Sequence, residues 1–166
     1  VTGNRLTRPY ADISADGVEY VLRETGTGVW LGRRDISRVS LVLSPALLWN
    51  FDLHMGIGLG VLDLRDLQWQ RVDIGTGITN LTFRLAESDQ ERTLDIAAGI
   101  GQVRLELPRT ANVRAAVSSP SFLHNLERQG FSEHGGDYVS PGYNEDGAVT
   151  RIKIDSGIAN IQVRWI

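Results

Sequence analysis

A chain of 166 residues is long enough to bury a core of its own, and without cysteine it forms neither a disulfide framework nor a thiolate-ligated metal site. Its formal net charge is -3, with acidic and basic residues interspersed; no like-charge run offers a phosphate groove or an anionic-membrane patch, which speaks against nucleic acid as a partner.

Residues 1 to 48 read as an N-terminal cap with the first strands. The chain begins at Val1 with no methionine and no signal-peptide pattern, as a piece of a longer protein would. Within this part TGTGVWLG (25 to 32) has the look of a glycine corner, and RVSLVLS (38 to 44) predicts an alternating strand with Val39, Leu41 and Leu43 inward. The longest apolar run, Val39 to Trp49, is too short to cross a bilayer and is interrupted by Pro45.

A repeat occupies residues 49 to 166. FDLHMGIGLGVLDL (51 to 64), VDIGTGITNLTFRL (72 to 85), LDIAAGIGQVRLEL (94 to 107) and IKIDSGIANIQVRW (152 to 165) share one template. Two apolar residues spaced by two lead into a glycine, an isoleucine and a small residue, and three alternating positions follow. The aligned glycines are Gly56, Gly77, Gly99 and Gly157, and the isoleucines are Ile57, Ile78, Ile100 and Ile158. The first two spacings are 21 and 22 residues, in the range of solenoid repeats.

The longer third gap holds a degenerate copy at Val113, Ala115, Ser118, Ser119 and Phe122. Residues 126 to 148 then read as turns and short strands, an excursion from the stack.

A period of two with glycine and β-branched residues rules against helices. The pattern predicts an all-β, right-handed β-helix-like solenoid of coils about 21 residues long. Glycine turns each corner, small followers (Gly58, Thr79, Gly101, Ala159) let corners stack, and the isoleucines form an inward ladder. Residues 49 to 166 form one domain with the cap, and a β-sandwich of ordinary hairpins is the alternative.

Alignment of the repeats also aligns their outward residues. Asp63, Arg84 and Glu106 make a column of alternating sign that fixes register. Asp52, Asp73 and Asp95 make a column of one sign, where calcium would relieve repulsion, although Lys153 takes the fourth place. His54, His124 and His134 are too scattered to ligate a metal together. There is no nucleophile elbow and no dinucleotide fingerprint. The tryptophans Trp30, Trp49, Trp69 and Trp165 read as packing, whereas Phe131, His134, Tyr138 and Tyr143, set among glycines, form the candidate partner contact.

These segments, above all GIGQVRLELP (99 to 108), resemble the C-terminal toastrack domain of LiaF-type cell-envelope stress proteins, closely over 49 to 166 and loosely over 1 to 48. The resemblance implies a bacterial, β-helix-like domain attached to the membrane by a segment elsewhere in the chain. It implies no catalytic residues and no cofactor. Its expected role is signalling through contacts with a sensor kinase or another envelope-stress component. A self-associating β-helical scaffold and, less favoured, a carbohydrate-active β-helix acting through Asp73 and its neighbours are the alternatives.

Overall fold

The computed structural model describes residues 10–14, 17–21, 41–119 and 125–166, the first two stretches as backbone only. The chain divides into two compact units, 1–42 and 43–166, a little before the boundary drawn from the repeat. In the first unit β1 (Tyr10–Ser14) and β2 (Gly17–Val21) form an antiparallel pair. The corner expected over 25 to 32, with Trp30, lies outside the described residues. So do Val39 and most of the first half of the strand expected over 38 to 44; residues 41–44 are irregular, with Leu41 exposed.

The second unit contains β3 (Leu48–Asp63), β4 (Gln68–Arg84), β5 (Arg92–Leu107), β6 (Val113–Ser118), β7 (Ser132–His134), β8 (Asp137–Val139) and β9 (Thr150–Trp165). Among the described residues its one helical element is a 3-10 turn at Glu127–Gln129. The long strands pair in parallel, with each repeat glycine level with the next: Met55 faces Thr76 and Ile57 faces Ile78, on either side of Gly56 and Gly77.

Chain lengths show why these strands are coils. A straight strand of sixteen residues spans roughly 53 Å, yet residues 64 to 67, which link β3 to the start of β4, reach at most about 14 Å. Each strand therefore doubles back at its glycine, and the two arms face each other across the core. Val72 and Ile74 from the first arm of β4 and Leu81, Phe83 and Leu85 from its second arm are all buried, as are their counterparts in β5 and, in β9, Ile152, Ile154 and Ile161, with Val163 and Trp165 partly buried. The unit is a β-helix-like solenoid, built by parallel stacking where a sandwich would need hairpins.

Corner geometry overturns one expectation. Ile57, Ile78, Ile100 and Ile158 are 66, 52, 55 and 61 % exposed, whereas Thr79 and Ala159 are 2 and 0 % exposed. The bend turns both the glycine and its isoleucine outward, so the small follower is the first residue to face in again. At the bend neighbouring coils also approach closely. Gly101 has φ +138°, and a Cβ there would overlap the carbonyl oxygen of Thr79.

Strand order departs from chain order. The sheet runs β3-β4-β5-β9-β6-β8-β7, so the final repeat lies between β5 and the degenerate copy. β6 supplies a first arm, pairing with Thr150 to Asp155; Phe122 lies outside the described residues. Within residues 126 to 148 β7 and β8 form an antiparallel hairpin, and β8 also pairs antiparallel with β6.

The second arm of β9 has no strand on its outer side among the described residues. Gln129 fills that place: its side-chain amide donates to the carbonyl oxygen of Ile161 at 3.1 Å and its side-chain oxygen accepts from the Val163 amide at 2.5 Å. The Trp165 indole donates to the Gln129 carbonyl at 2.6 Å.

Candidate functional site

With the core closed, function falls to the outward residues, which register sorts into rows across the strands. Asp63, Arg84, Glu106 and Arg164 form one row. Arg84 lies 2.9 Å from Glu106 and 3.6 Å from Asp63, and Arg164 lies 3.3 Å from the other oxygen of Glu106. Hydrogen bonding to Arg84 holds the buried Glu106 carboxyl below its usual range. Asp63 is lowered to about 2, chiefly by its hydrogen bond to Arg65. This row is a register clamp, as its alternating signs suggest.

Asp52, Asp73, Asp95 and Lys153 are adjacent in register. Arg71 offsets the repulsion between two of them: it lies 2.6 Å from Asp73 and 3.3 Å from Asp95, and its hydrogen bond lowers the Asp73 pKa. His54 sits 2.9 Å from Asp52. Among the described residues no group of three histidines or carboxylates is arranged to hold a metal ion. A depressed, arginine-bound Asp73 is a poor general acid.

The predicted contact set is only partly assembled. His134 and Tyr143 approach with ring centroids 5.9 Å apart, whereas Tyr138 packs against the core. Phe131 is 4 % exposed and stacks on Trp165 at 5.3 Å, so it belongs to packing and offers no face to a partner. Trp69 is likewise buried, under the Arg92 guanidinium. His124 lies outside the described residues.

Two surfaces remain that carry no structural duty. One is the ladder of exposed isoleucines at the corners, flanked on β3 by exposed Leu59 and Val61. Sequence parity contains this signal: counting back by twos from Phe83 through Leu81 reaches Thr79 and leaves Ile78 outward. The other is a trough on the outer face of the first arms. Its deeper end is a cavity of about 520 Å³ between β5, β9, β6 and the 143–147 loop; the shallower end, about 310 Å³, reaches His54 on β3. Asp95 and Lys153 line both ends.

Comparison with known proteins gives a family and a fold. Residues 13–106 match the family model described as the N-terminal domain of toast_rack, DUF2154. No curated protein matches the chain. A crystal structure of a candidate cell adhesion protein from Clostridium sporogenes is similar at a TM-score of 0.71 and 16% identity, covering 96% of this chain and 76% of that one. At that identity the likeness concerns the fold.

Proposed function

The chain belongs to the toast-rack N-terminal domain family, and from that premise we propose a non-enzymatic interaction module of a membrane-associated cell-envelope stress protein. It acts through protein contacts on a sensor-kinase pathway, and a segment outside residues 1 to 166 holds it at the membrane. No helix among the described residues is long and apolar enough to cross a membrane.

The observation that carries this reading is the isoleucine ladder. Four branched apolar side chains on neighbouring strands, spaced about 4.8 Å apart, form a stripe that solvent does not favour and packing does not require. A rigid stripe of this kind suits a complementary apolar surface on another protein. Replacing Ile78 and Ile100 with aspartate in the membrane-bound protein should leave folding intact while weakening capture of the kinase or envelope component at least about tenfold. Unchanged capture and unchanged stress signalling would overturn the reading.

A second reading, self-association, is favoured by β3. Among the described residues this sixteen-residue strand has a neighbour on one side only, and its sequence holds no lysine, arginine or proline to discourage pairing. Sedimentation velocity at rising concentration decides it: a persistent monomer excludes β3 pairing.

A further inference from the structure

We propose that the trough on the outer face of β3 to β6 binds a linear, electrically neutral oligosaccharide running across the strands. Its floor carries small outward residues, Thr93 and Ala97 from β5 and Ala116 from β6, on either side of the charged Arg151, Lys153 and Asp155 of β9, so that on β5 and β6 a ligand comes close to the strand backbone. At the shallow end the His54 ring covers Gly75, where a Cβ would meet its Nδ1 at 2.6 Å. At the deep end stands Tyr143, a ring face for a sugar.

The polar walls are ordered before any ligand arrives. Arg114 is tied to Asp137 at 2.6 Å and Arg151 to Glu91 at 2.8 Å. Fixed forks of donors and acceptors suit hydroxyl groups, which both donate and accept, and lose little side-chain freedom on binding. Lys153, Asp155 and Glu145 have no ion-pair partner among the described residues and extend the same mixed pattern.

Charge and spacing select the ligand class. Carboxylates outnumber cations six to three along the lining, which disfavours a polyanion. The strands repeat every 4.7 to 4.9 Å or so, close to the rise of about 5 Å per sugar in an extended β-linked glycan; an extended peptide repeats at about 3.3 Å and falls out of step within two residues. The parallel coils thus set one strand, with its own outward side chains, beneath each successive sugar.

The test is a heteronuclear NMR titration of the protein with chitotetraose and with cellotetraose, alongside the corresponding disaccharides. The expected result is shifts at Asp95, Ala97, Lys153 and the 143–147 loop, a Kd on the order of 1 mM or tighter, and tetrasaccharide binding stronger than disaccharide binding. Ala97→Arg, on the exposed floor, should weaken binding at least about tenfold with Tm unchanged. Ile78→Asp should leave the titration as it was, which separates this site from the protein-contact stripe. No shifts with either sugar, equal affinity for both lengths, or preference for heparin over the neutral sugars would overturn the proposal.

Discussion

The carbonyl oxygen of Gly77 occupies the place that a Cβ on Gly99 would take. The same relation is looser one coil down, where a Cβ on Gly77 would lie 2.9 Å from the Gly56 oxygen, and it vanishes at Gly56, which has open space. Alanine substitutions should therefore grade by position: Gly99→Ala costs about 2 kcal/mol or more, Gly77→Ala less, and Gly56→Ala close to nothing. Denaturant unfolding measures the series; equal costs at the three sites would mean that the corners do not stack as described.

The row through Glu106 makes stability depend on acid. Because Arg84 and Arg164 lower the folded-state pKa of Glu106, and Arg65 lowers that of Asp63 to about 2, ionised carboxylates favour the folded state. Their contribution is complete above the ordinary carboxylate range and disappears as pH falls through the depressed folded values. Thermal unfolding followed from pH 7 down to about 2 should show Tm falling below about pH 4.5, with Glu106→Gln starting lower and falling less steeply. A Glu106→Gln profile parallel to wild type would assign the acid sensitivity elsewhere.

Gln129 bonds the outer edge of the second arm of β9. Gln129→Ala leaves the Val163 amide and the Ile161 carbonyl without their partner and should cost about 1 to 3 kcal/mol. Hydrogen exchange is the sharper readout: protection should drop along 159–165 and stay unchanged along 72–76.

Phe131 tests the division between packing and contact. Phe131→Ala should destabilise the unit by about 3 to 5 kcal/mol through loss of its stacking and burial against Trp165. A variant that unfolds normally yet loses a partner would restore Phe131 to the contact surface.

The repeat was legible because stacking forces every coil to solve one problem with similar residues. Gly77 and Gly99 align in sequence because one lies on the other in space, and Arg84 and Glu106 align because they touch. Ile78 was misread because an isoleucine beside a glycine has two possible facings, and only the bend decides between them.

The place of β9 was not legible at all, since a repeat reveals that a strand stacks but not which neighbours receive it. Arg71 was missed as the cation between Asp73 and Asp95 because it lies before the template begins. The trough was missed for a related reason: its residues come from β3, β4, β5, β6, β8, β9 and two loops, and no short stretch of chain contains its pattern.

The insertion of β9 between β5 and β6 has a cost during synthesis. Residues 107 and 113, which end one strand and begin the other, leave the ribosome nearly together, but the slot between them stays empty until residues 150–165 have been made. The coils β3 to β5 can stack as they emerge, whereas β6 waits for a keystone that arrives last. During that interval two strand edges with apolar inner faces stand open side by side, and a nascent chain stalled before residue 150 would be the form of this protein most in need of a chaperone.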